Sequence, residues 1–236
     1  MEACGSEENI MNKSIGGLII LVLSMAVSVS PQQSHVADQP AQSDVVPLKA
    51  FARDQRFETV SGDPTKPGAI YVIRIHSEAG FITMPHTHPE DEHIVVVKGT
   101  WSLGMGDRFS RDGLQTMELG SYGLVPKKMT HFGQAKTDNV IHVYGIGPFT
   151  THWVIPMYEL TGKGVLYETS GNQPGVPTSI NPPDCFRLKL GAHVRGSYGD
   201  GIVIGAQCTP GELTQYRIEK ADGERFWAQG EELKIL

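Results

Sequence analysis

Short apolar runs separated by turn residues begin near Val45 and continue to the end of the chain. The segments between them, such as KPG at 66–68 and SRDG at 110–113, are rich in Gly, Pro and Asp. Runs punctuated in this way are typical of the strands of an all-β sandwich or barrel, and no amphipathic helical pattern interrupts them. The predicted strands are 69–76, 93–98, 101–105, 114–119, 122–125 and 140–145.

The composition is that of a folded protein without a nucleic-acid surface. Of 236 residues, 39% are hydrophobic, which is enough for the packed core of one large domain or two small ones. The formal net charge is −6, and Lys and Arg are scattered along the chain. Proteins that bind nucleic acid present a basic stripe to the phosphates, so nucleic acid is not an expected partner.

The N-terminal region has the pattern of an export signal. An apolar stretch at 15–29 follows Lys13 and precedes a polar segment, which predicts a signal peptide over 1–30 and a linker over 31–44. Met11 is the expected start, because the first ten residues carry three acidic side chains where a positive region is required. Small residues at 26–28 offer a cleavage site. The alternative is an uncleaved membrane anchor over 14–34, and the expected location is periplasmic or secreted, or membrane-anchored in that second case.

Two β-rich regions flank a segment of turn residues. Residues 45–158 hold the strands predicted above, whereas 159–183 are rich in Gly and Pro and are predicted to be a linker with one short strand near 165–167. Residues 184–236 contain several short strands joined by tight turns and resemble a small five-stranded β-barrel of the Src-homology type. Four aromatic residues there form either its core or a patch that contacts a ligand or a protein partner: Tyr198, Tyr216, Phe226 and Trp227.

Two cysteines remain after the N-terminal region. Cys4 precedes the apolar stretch, which leaves Cys185 and Cys208 in the exported protein. An oxidising compartment allows these two to form a disulfide, and two buried thiols are the alternative. The sequence leaves both open, because it does not give the separation of the two Cα atoms.

The segment 80–99, GFITMPHTHPEDEHIVVVKG, contains a candidate metal site. Alternation along a strand places His86 and His88 on one face, and Glu92 has the same parity. Glu90 shares that parity, but Pro89 interrupts the strand beside it, so Glu92 is the preferred ligand. Imidazole and carboxylate together suit Mn²⁺, Fe²⁺, Ni²⁺ or Zn²⁺, and no cysteine lies nearby to build a thiolate zinc site.

These residues resemble the two sequence motifs of the cupin family. The first motif is matched throughout by Gly80, His86, His88, Glu92 and Gly99. The second is matched by Gly120, Pro126 and His131, while Lys128 stands in place of a Gly and Ala135 in place of an Asn. The resemblance covers residues 45–158 and implies a cupin double-stranded jelly-roll barrel. With the small C-terminal barrel predicted for 184–236, the expected fold class is all-β. The resemblance also implies that His86, His88, Glu92 and His131 bind one divalent metal ion, with Fe or Mn favoured and Ni or Zn as alternatives.

A metal held by four protein ligands keeps open positions for a small molecule. The resemblance implies a metal-dependent oxidoreductase of the dioxygenase type that acts on a small oxygenated or aromatic compound. Decarboxylases, isomerases and lyases of the same family are alternatives. A second class of function is a non-catalytic small-ligand binding or sensor protein that uses the same cavity.

Three residues are weak candidates for proton transfer beside the metal: Glu90, His142 and Tyr144. By parity with Glu92, Ile94 and Val96 are predicted to line the cavity. Val95 and Val97 then face outward, and such an exposed β-branched pair suggests a homodimer or a packed neighbouring module.

Overall fold

The computed structural model describes residues 56–169, 176–179 and 185–236. The predicted signal peptide, the alternative anchor and the linker at 31–44 lie outside these residues. Within the described ranges, no helix has the length and apolar character needed to cross a bilayer.

The described residues form β-strands and one short 3-10 helix. The strands are β1 Phe57–Gly62, β2 Ile70–Ser77, β3 Ile82–Thr87, β4 Glu92–Lys98, β5 Trp101–Met105, β6 Gln115–Met117, β7 Tyr122–Val125, β8 His131–Ala135, β9 Asn139–Ile146, β10 His152–Trp153, β11 Met157–Leu160, β12 Leu166–Thr169, β13 Val176–Pro177, β14 His193–Gly196, β15 Gly199–Thr209, β16 Leu213–Glu219, β17 Arg225–Gln229 and β18 Lys234–Ile235. The 3-10 helix, Gly230–Glu232, precedes β18.

Two five-stranded antiparallel sheets form the first part of the fold. The first sheet has the order β1-β2-β9-β4-β7 and the second the order β10-β3-β8-β5-β6. A single hydrophobic core draws on strands of both sheets, with Ile73, Ile94 and Val143 from the first and Trp101 and Leu103 from the second. This arrangement confirms the all-β jelly-roll fold expected from the sequence.

Alternation along β4 sets which side chains face the interior. Glu92, Ile94 and Val96 are buried, whereas Val95 and Val97 are only half-buried. The period-two prediction for this strand is therefore confirmed.

All six predicted strands occur within two residues of their predicted bounds. Four further strands of the two sheets, β1, β3, β8 and β10, are not among these six. Pro85 lies inside β3, and β8 reads HFGQA, a segment in which a glycine and two polar residues conceal a strand that is buried at every position. Such segments lack the apolar alternation on which strand prediction depends.

A third antiparallel sheet forms the C-terminal part of the fold. Its order is β13-β12-β11-β15-β14-β18, with β16 on β15 and β17 on β16. β12 overlaps the short strand predicted near 165–167, and β13 lies in the rest of the segment predicted to be a linker, so that segment contributes strands to the sheet. The sheet has a hydrophobic core of its own, which includes Val194, Val203, Tyr216, Ile218 and Phe226. Closure of these strands into a Src-homology-like barrel stays a prediction.

The third sheet docks on the jelly roll through buried polar contacts. The Gln215 amide donates to the Ile82 carbonyl at 2.7 Å and accepts from the Ile82 N–H at 2.9 Å. The Trp227 N–H donates to the Ala79 carbonyl at 2.7 Å. Gly80 has φ +84°, and a Cβ there would collide with the Trp227 carbonyl. The first glycine of the cupin motif is thus also the point where the two parts of the chain meet.

Cys185 and Cys208 form a disulfide with their Cα atoms 5.7 Å apart. Cys208 lies in β15 and pairs with Tyr158 of β11. Of the two alternatives that the sequence left open, the structure has the bridge, which ties residue 185 to a central strand of the third sheet.

Candidate metal centre

Three histidines converge at one end of the second sheet. β3 carries His86, His88 follows its last residue, and His131 begins β8. The register of β3 against β8 shifts between Thr83 and His86, next to Pro85, and this irregularity places His86 directly opposite His131. Proline is tolerated in a sheet at such irregularities because it has no N–H for the ladder. One ring nitrogen from each histidine lies within 4.8 Å of the other two.

Each of these rings is oriented by a backbone carbonyl. The Nδ1 atoms of His86, His88 and His131 lie 2.7, 2.6 and 3.1 Å from the carbonyl oxygens of Met84, Thr150 and Met129. A carbonyl only accepts, so each Nδ1 carries the proton and donates it. In a neutral ring Nε2 then holds the lone pair, which is the state that binds a metal.

Glu92 reaches the same place from the opposite sheet. Its Oε2 lies 3.0 Å from Nε2 of His131 and 3.6 Å from Nε2 of His88, and the residue is 5% exposed. The structure therefore brings together all four residues that the motifs single out: the three histidines as one close group, and Glu92 against two of them.

Two polar atoms at this point have no hydrogen-bond partner among the described residues: His88 Nε2 and Glu92 Oε2. Both are buried, and a buried polar atom without a partner costs free energy. Both atoms carry lone pairs, so neither can donate a hydrogen bond to the other, and both are of a type that binds metal ions. The residues present therefore fit a divalent cation bound between them.

Burial and mutual repulsion favour the neutral rings of His86 and His88. Burial lowers the pKa of His86 well below its ordinary value, and the nearby His131 and His88 lower it further. Burial also lowers the pKa of His88, although the Glu92 carboxylate opposes this. Burial acts to raise the pKa of Glu92, but His131 and His88 outweigh it, so the pKa lies below its ordinary value. Neutral imidazoles beside an ionised carboxylate are the protonation states that metal binding requires.

The turn before His131 keeps its shape despite the departure from the second motif. Lys128 has φ +62°, the left-handed conformation that glycine adopts easily, and its N–H donates to the His88 carbonyl at 2.8 Å. Ala135, in place of the usual Asn, is fully buried. Its N–H and carbonyl bond to Phe81 and Gly80 at 2.8 Å each. The backbone around the site therefore keeps its turn and its hydrogen bonds, although Lys128 and Ala135 replace the usual Gly and Asn of the motif.

A cavity of about 390 Å³ opens from the histidines into the barrel. Its walls are mostly apolar and include Ile75, Phe81, Ile94, Trp101, Leu103, Phe132, Ile141, Phe149, Trp153 and Met157. The prediction that Ile94 lines it is correct, and Val96 packs in the core instead. Three charged or amide side chains also line it, Arg56, Glu159 and Gln207, the last two from the third sheet.

The three weak candidates for proton transfer do not line this cavity. Ile141 faces the interior of β9, so its neighbour His142 faces outward, where it accepts a hydrogen bond from Arg74 Nε at 3.1 Å. Tyr144 also faces outward and stacks on His93, with ring centroids 5.2 Å apart. Glu90 lies in the loop before β4. The sequence did not identify the contributions of Trp153 and Gln207 to the cavity, because they depend on strand pairing between distant segments.

No protein-family model matches the chain, and no curated protein matches it. Solved structures similar to it include cupin proteins. An RmlC-like cupin protein from Desulfovibrio desulfuricans is 22% identical, with a TM-score of 0.36, over 45% of this chain and 97% of its own. KdgF from Halomonas sp. is 17% identical, with a TM-score of 0.30, over 37% of this chain and 74% of its own.

A salicylate 1,2-dioxygenase from Pseudaminobacter salicylatoxidans is 18% identical, with a TM-score of 0.30, over 34% of this chain and 21% of its own. The chain thus spans about a fifth of that enzyme. The fold and the site described above rest on this chain's own strand pairing and ligand geometry, not on these similarities.

Proposed function

We propose that this cupin-type jelly roll holds one divalent metal ion through Nε2 of His86, His88 and His131, with the Glu92 carboxylate as fourth ligand. The observation that carries the proposal is the pair of unpartnered buried atoms, His88 Nε2 and Glu92 Oε2, beside rings whose Nδ1 atoms are already committed to carbonyls. Fe²⁺ or Mn²⁺ is the proposed native ion, since imidazole and carboxylate ligands with open positions suit these metals.

The proposed activity is that of a metal-dependent oxidoreductase of the dioxygenase type on a small oxygenated or aromatic compound. A bound ion would act as a Lewis acid toward a chelating substrate. The chain's own part is to exclude water and to orient the substrate: Phe149 stacks on His88 with centroids 4.6 Å apart, and Trp153 lies 5.1 Å from His86. A cavity of about 390 Å³ suits a compound of one or two rings.

The walls favour oxidation over decarboxylation or isomerisation. Those two reactions need a proton donor or acceptor near the reacting atoms. Apart from the four ligands, the titratable side chains that line the described cavity are Arg56 and Glu159, and Glu159 comes from the third sheet. The same scarcity of acids and bases supports a second candidate, a non-catalytic ligand-binding or sensor protein.

The metal is tested by removing its ligands. His86→Ala and His131→Ala proteins are expected to lose the ion, as measured by plasma mass spectrometry, while their far-ultraviolet circular dichroism stays that of a folded β-protein. His193→Ala is the matched control, because His193 is exposed on β14 of the third sheet. Metal content equal to that of the parent in both ligand variants would refute the proposal.

The activity is tested on protein loaded anaerobically with Fe²⁺ or Mn²⁺. Oxygen uptake on addition of aromatic diols and hydroxy acids supports the oxidoreductase, and carbon dioxide release without oxygen uptake supports a decarboxylase. Tight metal-dependent binding of these compounds without turnover supports the binding or sensor protein.

We also propose that the chain is exported. The apolar segment at 15–29 supports this, as does the Cys185–Cys208 disulfide, because such bonds persist in oxidising compartments. Cell fractionation and N-terminal sequencing of the mature protein test it. Cleavage near residue 28 is expected, and an intact N-terminus in the cytosolic fraction would contradict it.

A further inference from the structure

One face of the third sheet carries a row of three polar side chains that faces the jelly roll. Glu159, Gln207 and Gln215 lie side by side on β11, β15 and β16, because Glu159 pairs with Gln207 and Gln207 with Gln215. Residues paired across neighbouring strands share one face of the sheet. Gln215 is bonded to Ile82 of the jelly roll, so this face points at the barrel, and Glu159 and Gln207 line the cavity.

Gln207 differs from Gln215 in having no partner for its amide nitrogen. Gln207 is 2% exposed, and its Nε2 has no hydrogen-bond partner among the described residues. A second cavity-lining donor, Nε1 of Trp101, is equally buried and equally without a partner. Burying an unpaired amide or indole N–H costs free energy in the ligand-free protein. A ligand oxygen in the cavity would remove that cost.

The strand pairing places Gln207 level with Ile82, at the start of β3, rather than with the metal ligands. Gln207 neighbours Gln215, which holds Ile82, and Ile82 precedes His86 by four residues of β3. Four residues of a strand span about 13 Å. We therefore expect a ligand bound at the histidines to reach Gln207 with its opposite end.

The charges near Gln207 indicate which oxygen fits there. Glu159 lines the cavity on the neighbouring strand, directly beside Gln207. Arg56 also lines the cavity, with its guanidinium carbon 4.0 Å from the centroid of the Phe81 ring. Glu159 interacts with Arg56 and offsets its charge, and it would repel a ligand carboxylate placed beside it. An apolar group would leave the Gln207 amide unpaired. A neutral hydroxyl accepts from Gln207 and donates to Glu159.

We propose that Gln207 is a specificity-determining residue that binds a neutral hydroxyl at the end of an aromatic ligand remote from the metal. The inference rests on the proposed function, since the metal anchors the other end of that ligand. It extends the binding site beyond the jelly roll, because the third sheet contributes the residue that selects among ligands.

The test uses 4-phenylcatechol, whose two adjacent hydroxyls chelate a metal, together with its 4′-hydroxy and 4′-methoxy derivatives. Dissociation constants are measured by calorimetry on the full chain loaded with Mn²⁺ under argon. We expect the 4′-hydroxy compound to bind roughly 3- to 10-fold more tightly than 4-phenylcatechol, the usual effect of one buried hydrogen bond. The methoxy compound should not share this preference, because it has no proton for Glu159.

Two variants separate the hydrogen bond from a structural effect. Gln207→Met preserves volume and removes the amide, so the preference for the 4′-hydroxy compound should disappear while 4-phenylcatechol still binds. Ile202→Met, an exposed position on the same strand, should keep the preference.

Failure of this inference differs from failure of the metal site. If all three catechols bind only in the presence of the metal but show no 4′-hydroxy preference, or keep it in Gln207→Met, the inference is overturned and the metal site stands. If none binds, or if all bind equally well without metal, the proposed function falls and the inference with it.

Discussion

Lys128 holds a left-handed backbone conformation, with φ +62°, at the position where the second cupin motif has glycine. That conformation costs an ordinary L-residue about 1–2 kcal/mol, and a glycine at this position would avoid that cost. Part of the resulting stabilisation is lost again, because glycine has greater conformational freedom in the unfolded chain. Lys128→Gly is therefore expected to raise the free energy of unfolding by up to about 1 kcal/mol.

Urea denaturation measures this effect, and Lys127→Gly is the matched control. Lys127 has no left-handed strain to relieve, so its substitution should lower stability by about 0.5–1 kcal/mol. Equal losses in both variants would show that the Lys128 backbone is not strained.

The buried histidines make the metal-free protein sensitive to acid. The pKa values of His86 and His88 are lowered from 6.5, so the unfolded chain binds more protons than the folded one between that pH and the folded pKa values. Stability is therefore present above about pH 6.5 and falls as the pH is lowered through this range. Glu92, whose pKa is lowered from 4.5, adds a further loss under more acidic conditions.

Urea denaturation in the presence of a chelator at several pH values tests this expectation. Replacement of the most strongly shifted ring, in His86→Gln, should make the fall in stability below about pH 6.5 shallower. A parent and a variant with the same pH dependence would contradict the assigned direction of the shift.

His86, His88 and Glu92 could be proposed from their spacing, whereas His131 came from the resemblance to the second cupin motif. The expectation that Glu92 shares one strand face with the histidines was wrong, because Glu92 lies on β4 of the opposite sheet. The atoms that orient the rings could not be predicted, since they are backbone carbonyls of Met84, Thr150 and Met129. Any residue type supplies a carbonyl, so no side chain in the sequence marks these partners. Two of the proton-transfer candidates, His142 and Tyr144, lie outside the cavity because parity alone does not say which face of β9 is inside. Glu90 lies in the loop before β4, where strand alternation does not apply.

At the level of elements, β16 is joined to β3 through one side chain. The Gln215 amide bonds both the N–H and the carbonyl of Ile82, and Gln215 is 1% exposed. Gln215→Leu would leave two buried backbone groups unpaired, at about 1–3 kcal/mol each. We expect the variant to lose about 2–5 kcal/mol of unfolding free energy, measured by urea denaturation.

Thr214→Val is the control for that substitution. Thr214 is the preceding residue of β16, and its hydroxyl donates to Cys208 Sγ at 3.4 Å, a weak hydrogen bond. The loss should stay below about 1 kcal/mol. If Gln215→Leu proves as mild as Thr214→Val, the buried amide does not hold the two sheets together.

The accuracy of strand prediction differs with how much each strand depends on pairing with a segment distant in the sequence. Strands with apolar alternation, such as β4 and β5, were predicted nearly to the residue. β12, of sequence LYET, overlaps the short strand predicted near 165–167, whereas β13, only two residues long, was expected as linker because it occurs among Gly and Pro residues. β12 pairs with β11, which is itself held by β15 far along the chain, and β13 pairs with β12. Local sequence carries little information about such pairings.

At the level of the whole molecule, the jelly roll and the third sheet are expected to unfold together. Gln215 and Trp227 place buried contacts of the third sheet on Ile82 and Ala79. Metal binding to the folded state alone raises stability by about 2.7 kcal/mol at a hundredfold excess over the dissociation constant. That gain should therefore appear in both parts of the chain.

Hydrogen exchange measured by mass spectrometry tests this coupling. Added Mn²⁺ should slow exchange equally in peptides from β8 and β9 and in peptides from β16 and β17, although the last two strands contain no metal ligand. In Gln215→Leu protein the effect should be confined to the jelly roll. A parent protein in which only the jelly roll responds would show that the two parts are independent.

The carbonyl groups that orient His86, His88 and His131 belong to the main chain. A point mutation can delete a carboxylate or an amide that supports a metal ligand, but it leaves a main-chain carbonyl in place. Mutation of the side chains around the rings therefore does not directly change the basicity of the three imidazoles. An engineer who wishes to change the metal preference or the redox potential of this centre must replace a ligand itself, and Glu92, the single member from the opposite sheet, is the position to vary first.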